Sequence, residues 1–202
     1  MILHSFKSSR DLYLWCLRGS ALDYFLSITS SISQSMSTDD QKQKLFKDME
    51  QRLTQLGFSI DNQDQTRPWG GFFVIDENQA SAFADTYFEG MQVEELRIAG
   101  KLSPKILIVA PYKRLSWQYH HRRAEVWKVL QGPVGVVTSN TDKESDVRIY
   151  EPGELVTLKQ GERHRLVGLD NWGVLAEIWQ HTDATNPSDE DDIVRVQDDF
   201  GR

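Results

Sequence analysis

The sequence predicts a mainly β fold, an antiparallel jelly roll entered through an N-terminal helical segment. Nine short runs of strand character lie between residues 93 and 180: VEELRI, KILIVA, LSWQYH, VWKVLQ, VGVVTS, DVRIYE, ELVTLK, HRLVG and GVLAEIWQ. Gly, Pro, Asn and Asp punctuate them, the pattern of repeated short strands that a jelly roll requires. Ahead of them the chain carries helical periodicity, and no repeat period or low-complexity tract is evident. With 202 residues, 39% hydrophobic content and six tryptophans, the chain supplies one sizeable core.

The elements follow in order. Residues 1–36 are expected to be an extension outside the core, with translation starting at Met36. Lys7, Arg10, Asp11, Arg18 and Asp23 interrupt its apolar patches, so neither a membrane span nor a signal-peptide core fits there. Residues 37–66 read as a helix and a linker. Ser37 or Thr38 caps the helix, Leu45, Met49, Leu53 and Leu56 line one face, and Gly57 stops it. Residues 59–66 read as a polar linker. The barrel occupies residues 67–202. Pro68 biases Arg67 toward extended backbone, and Gly70-Gly71 permits a sharp turn before the apolar strand of residues 72–75. Asp76 then caps a short helix reaching Phe88, with Phe83, Tyr87 and Phe88 as its apolar side.

Charge and cysteine content narrow the function classes. A net charge of -7 and a pI near 5.2 argue against nonspecific nucleic-acid binding, which needs basic surface. The single Cys16 makes neither an internal disulfide nor a thiolate metal cluster, so a reducing, cytoplasmic location without membrane attachment is expected.

Two stretches carry the candidate chemistry: RLSWQYHHRRAEVWKVLQG from Arg114, and EPGELVTLKQGERHRLVG from Glu151. Both read as β-hairpins, reversing at Gly132 and turning at Gly161. Residues two apart on a strand share a face, so Gln118 and His120 point together while Trp117, Tyr119 and His121 point away. Glu125 lies an odd number of residues beyond His120 and needs a turn or bulge at Arg122-Arg123 to rejoin them. His164 follows Glu125 thirty-nine residues later. Two imidazoles, a carboxylate and an amide oxygen form a mixed N/O set for one divalent metal. Zinc is the first expectation, with iron, manganese, cobalt and nickel as competitors.

Three segments carry a family resemblance: Arg67-Pro68-Trp69-Gly70, the run from Arg114 to Trp127, and EDDIVRVQDDFGR at residues 190–202. The chain resembles the cupin superfamily. More narrowly it is similar to the cupin domain of type II phosphomannose isomerases, which is often fused to a mannose-1-phosphate guanylyltransferase, and to standalone bacterial cupins labelled phosphoheptose or phosphomannose isomerases. Over residues 67–202 the resemblance implies a double-stranded β-helix that converts a phosphorylated aldose to its ketose. It carries over Gln118, His120, Glu125 and His164 as metal ligands and Arg195 as a catalytic arginine. The chain departs from the family pattern at Arg122 and Val126, where histidines are usual, at Lys159, where proline is usual, and at Gly168, where asparagine often stands. With these departures the sugar is left open among mannose 6-phosphate, a heptose phosphate and other aldose phosphates.

The implied reaction moves a proton between C1 and C2 of an open-chain sugar phosphate through a cis-enediol. Metal would polarise the oxygens, Arg195 would add positive charge beside the oxyanion, and Glu177 or Lys113 would be the base. Lys113 and Arg195 are also expected as substrate-side cations, with Lys159 and Arg165 next. Trp127, Trp172 and Trp179 read as core, and Asp198, Asp199 and Arg202 as ion pairs holding the tail. No nucleotidyltransferase-like glycine-rich segment occurs, so a solitary isomerase domain is expected. An iron-dependent cupin dioxygenase and a noncatalytic sugar-binding cupin are the rival readings. Jelly-roll edges commonly pair, which leaves a homodimer open.

Overall fold

In the computed structural model, which describes residues 37–91 and 101–201, helix α1 spans Thr38–Gln55. The expected extension and the run VEELRI lie outside the described residues. Ser37 caps α1, its Oγ accepting from the Asp40 N–H at 3.1 Å and donating to the Asp40 carboxylate at 2.8 Å. At the other end Gly57 adopts φ 83°, and the Phe58 and Gly57 N–H groups donate to the carbonyls of Leu53 and Thr54. This is a Schellman stop that a side chain would strain. The face α1 buries consists of Phe46, Met49 and Leu53, whereas Leu56 is exposed. The expected stripe was thus shifted: Leu56 falls in the closing turn, where the chain has already begun to leave the helix.

Eleven strands of the described residues form two antiparallel sheets. One has the order β1-β2-β3-β10-β5-β8, built from Ile60–Asp64, Gly70–Ile75, Lys105–Val109, Gly173–His181, Arg123–Gln131 and Leu155–Leu158. The other has the order β11-β4-β9-β6-β7, built from Val194–Gln197, Trp117–Tyr119, Arg163–Gly168, Val134–Ser139 and Arg148–Tyr150. Their inner faces meet in a jelly-roll core that includes Leu107, Val109, Val129, Val136, Leu166 and Leu175. Helix α2, Ala80–Tyr87, follows a 3-10 turn capped by the Asp76 carboxylate. Together with α1 it covers the outer face of the six-stranded sheet, packing Phe46, Leu53 and Phe83 with Phe73, Ile106, Val174 and Ile178. Burial on both faces explains why β3 and β10 are nearly continuous apolar runs rather than alternating ones.

Residues 59–66 are not a linker. Residues 60–64 are edge strand β1, paired with β2 from Ile60↔Ile75 to Asp64↔Phe72. Its side chains IDNQD are almost all polar because an edge strand is held by backbone bonds and needs no apolar face. Residues 42–202 form one compact unit, so β1 and the buried face of α1 belong to the same body as the barrel.

Neither ligand-bearing stretch is a hairpin. β4 pairs with β9 and β11 in one sheet, while β5 pairs with β10 and β8 in the other. β8 and β9 are likewise split. Each stretch therefore crosses from sheet to sheet over the barrel's end, a distinction that an alternating strand-turn-strand pattern does not encode. Gly168 has a local reason: a Cβ there would lie 2.0 Å from the Ala110 carbonyl oxygen.

Phe73 sits where β2 meets α1, fully buried and 5.5 Å from the Phe46 ring. Phe73→Ala is expected to cost about 3–5 kcal/mol of stability, read as a lower urea midpoint with metal stoichiometry unchanged.

Candidate metal centre and its cavity

Along three strands of the six-stranded sheet, the inward positions change from apolar to polar toward one end of the barrel. β3 presents Val109 and Leu107, then Lys105; β10 presents Leu175, then Glu177 and Trp179; β5 presents Val129 and Trp127, then Glu125 and Arg123. The period of two keeps these residues on one face. Of these, Leu107, Lys105, Glu177, Trp179, Trp127, Glu125 and Arg123 line a cavity to which Arg67, Trp69, Ser116, Gln118, Glu190, Ile193 and Arg195 also contribute.

Glu125 of this wall belongs to a cluster: one nitrogen each of His120 and His164 and the Glu125 carboxylate lie within 4.8 Å of one another, and all three residues are buried. His120 Nε2 is 3.1 Å from Glu125 Oε1, and His164 Nε2 is 3.4 Å from Oε2. Hydrogen bonds assign both tautomers. His120 Nδ1–H donates to the Asp192 carbonyl at 2.5 Å, and His164 Nδ1–H donates to the Glu162 carbonyl at 3.0 Å. Each Nδ1 thus carries a proton, and each Nε2 faces the carboxylate. His164 Nε2 is buried without a hydrogen-bond partner. Desolvation lowers its pKa to about 4, so the ring is neutral at neutral pH. Burial opposes ionisation of Glu125, but His120 and Arg123 outweigh it and hold the carboxyl well below the usual range. Two imidazole nitrogens and a carboxylate fit a divalent ion, and the orphaned His164 nitrogen is the strongest sign of it. Arg123 meanwhile supplies positive charge: Nε donates to Glu125 Oε1 at 2.8 Å and Nη2 to His120 Nε2 at 3.2 Å.

Glu177 lies opposite Lys105 on β3 and Trp127 on β5. It accepts the Trp127 indole N–H at 2.8 Å. Burial, followed by the negative charge of Glu125, raises its carboxyl to about 8 against the pull of Lys105 and Arg123.

The segment preceding β11 covers this end of the barrel. The buried Asp192 carboxylate accepts from the His121 N–H at 3.1 Å, the Arg122 N–H at 2.8 Å and Ser188 Oγ at 2.8 Å. Arg123 Nη1 donates to Ser188 Oγ and the Asp189 carbonyl, both at 2.9 Å.

The structure therefore brings His120, Glu125 and His164 together and sets Gln118, Glu177 and Arg195 in the same cavity wall. Gln118 is directly across from His164 on one side and Arg195 on the other. Its amide oxygen accepts from Ser116 Oγ at 2.6 Å. Three expectations are corrected. Lys113 is exposed in the turn before β4 and is not in the cavity wall. Lys159 is exposed in the turn before β9, where its N–H donates to Glu162. Arg165 faces away from His164 because adjacent strand residues alternate. It is buried there, donating to Glu144 at 2.6 Å and the Gln197 carbonyl at 3.2 Å. Its work is to tie β11 and residue 144 to β9.

Lys105, Arg123 and Trp179 are site residues that the sequence reading passed over. Trp179 is buried as expected, but Lys105 Nζ lies 3.9 Å and the Arg123 guanidinium 3.6 Å from its ring centroid. Lys105 had a legible signal, being the one charged residue of an otherwise apolar strand. The tail behaves as expected at Asp199, which takes Arg114 Nε and Nη2 at 2.7 and 2.9 Å; Arg202 lies outside the described residues. Among the described residues no helix is long and apolar enough to cross a membrane.

A family model described as "Mannose-6-phosphate isomerase C-terminal" matches residues 87–198. The Xanthan biosynthesis protein XanB of Xanthomonas campestris pv. campestris (strain B100) is 29% identical over 136 residues, covering 67% of this chain and 23% of that protein. The Mannose-1-phosphate guanylyltransferase of Escherichia coli (strain K12) is 29% identical over 136 residues, covering 67% of this chain and 22% of that protein. The chain thus spans under a quarter of the length of these curated relatives. Among solved structures, the capsular polysaccharide assembling protein CapF of Staphylococcus aureus aligns with a TM-score of 0.44 at 15% identity, covering 69% of this chain and 34% of that one.

Proposed function

Because this chain belongs to the mannose-6-phosphate isomerase C-terminal family, a family of cupins, we propose that it interconverts an aldose phosphate and its ketose phosphate by moving a proton between C1 and C2. The substrate is mannose 6-phosphate or a heptose phosphate, and zinc is the ion at His120, Glu125 and His164. The observation that carries the reading is Glu177, a buried carboxyl held near pKa 8 in the wall of the cavity that Glu125 of the ligand cluster also lines. A group that both takes and returns a proton near neutrality is what a cis-enediol route demands. When bound, a divalent ion supplies Lewis-acid polarisation of the sugar oxygens. Glu177, held by the Trp127 indole, takes the proton from one carbon and returns it to the next. Arg195, in the cavity wall, stabilises the negative charge that develops on oxygen. A relative named for mannose 1-phosphate supports a sugar phosphate as the ligand class.

The test is incubation of zinc-loaded protein with a panel of aldose and ketose phosphates in deuterated water, followed by NMR. Metal-dependent deuterium at C1 or C2 is the expected result. Absence of exchange with every sugar at one bound zinc would overturn the reading in favour of the oxygenase or binding-protein alternatives. In the same assay Arg195→Ala is expected to keep its metal and lose about 10²–10³-fold in turnover, as for removal of one oxyanion donor; a fully active variant would remove Arg195 from the chemistry.

A further inference from the structure

Lys105 is a buried cation with an unequal partner. Its side chain is 7% exposed, its ammonium faces the cavity over Trp179, and it is ion-paired to Glu190, whose side chain is 72% exposed. A desolvated ammonium requires an anion. The Glu190 carboxylate gives up little by returning to water. The chain around Glu190 is pinned on both sides, by Arg122 on Asp189 at 3.0 Å and by the three hydrogen bonds on Asp192. The carboxylate can therefore leave by side-chain rotation without moving the backbone. Two other cations of the cavity wall already hold carboxylates: Arg67 pairs with Asp64 at 2.8 Å and Arg123 with Glu125 at 2.8 Å.

We propose that Lys105 forms the anion subsite of this cavity, taking the phosphate of the ligand, and that Glu190 is a built-in counter-ion which the phosphate displaces. A phosphate dianion offers Lys105 more charge and more acceptor oxygens than the carboxylate it replaces. The indole face of Trp179 lies 3.9 Å from the ammonium and adds a cation–π contact that persists when the carboxylate leaves. Glu190 thus keeps the lysine neutralised in the empty cavity and makes binding selective for ligands that bring their own anion. The identity of that anion as phosphate rests on the sugar-phosphate reading above; the subsite itself rests on Lys105 and Glu190.

The test is titration of inorganic phosphate into the full chain, with and without one equivalent of zinc, followed by tryptophan fluorescence and isothermal calorimetry. Glu190→Gln is expected to tighten phosphate binding three- to tenfold, Lys105→Met to weaken it at least tenfold, and Lys105→Arg to retain most of it. Phosphate bound to zinc would contribute to parent and variants alike. Unchanged affinity in Lys105→Met, or no tightening in Glu190→Gln, would overturn the proposal. Glu190→Gln alters an exposed side chain and decides the matter even if Lys105→Met does not fold. The titration needs no turnover, so a chain that binds phosphate through Lys105 yet exchanges no deuterium would refute the isomerase reading and leave the subsite standing.

Discussion

His164→Ala is expected to lose stoichiometric zinc and to lower turnover by about 10³-fold or more, the rate equivalent of the several kcal/mol that a Lewis acid contributes. His164 is the cleanest ligand to remove. Its Nε2 makes no hydrogen bond within the protein, and its Nδ1–H engages only a neighbouring carbonyl, that of Glu162 at 3.0 Å. The substitution deletes a lone pair while leaving the barrel's polar contacts nearly intact. His120→Ala would lose metal too, but it also releases the Asp192 carbonyl and the segment that covers the cavity. Metal analysis by mass spectrometry alongside circular dichroism separates the two effects. A folded His164→Ala protein that retains one zinc would show that the centre lies elsewhere.

Glu177→Gln should keep zinc and lose about 10²–10⁴-fold in turnover, the usual range for a general acid–base group. Its pH dependence is diagnostic. Burial, with Glu125 nearby, holds the Glu177 carboxyl to about 8, so it carries its proton below that pH and acts as a base above it. In the parent, kcat/KM should rise with pH through an inflection at or below this value, since an ion on Glu125 cancels that residue's share of the upward shift. The glutamine variant should lack that limb. Stability follows with the opposite benefit. A carboxyl raised from its ordinary 4.5 to about 8 binds its proton more tightly folded than unfolded. The parent therefore loses stability as pH rises across that window. Urea midpoints of Glu177→Gln should fall less than those of the parent between pH 5 and pH 8. Equal slopes would mean that Glu177 does not titrate there.

The strands were legible wherever one face or both faces are apolar, as in KILIVA and GVLAEIWQ, since burial writes itself into composition. Strand β1 was not, because an edge strand held by backbone hydrogen bonds leaves only polar letters behind. Of the site, His120, Glu125 and His164 could be read from residue type and spacing. Gln118 could be read beside them from its spacing to His120, and Arg195 through the family resemblance. Lys113, Lys159 and Arg165 were attractive because they are cations close in sequence to the ligands. Proximity along the chain is a poor guide where the chain crosses between sheets and successive side chains face opposite ways. Lys105 and Glu190 are 85 residues apart, and only the fold makes them a pair.

The two sheet-crossing stretches have a further meaning in folding terms. His120 follows β4 of the five-stranded sheet and His164 lies on β9 of the same sheet, whereas Glu125 lies on β5 of the other. Tertiary contacts of such large sequence separation form late in a chain whose topology is dominated by non-local pairing. Neither sheet contains the centre by itself, so a partly folded chain with one sheet formed has no binding site to offer. Opening either sheet dissolves the centre, so it shares the stability of the whole cooperative unit rather than that of any local element.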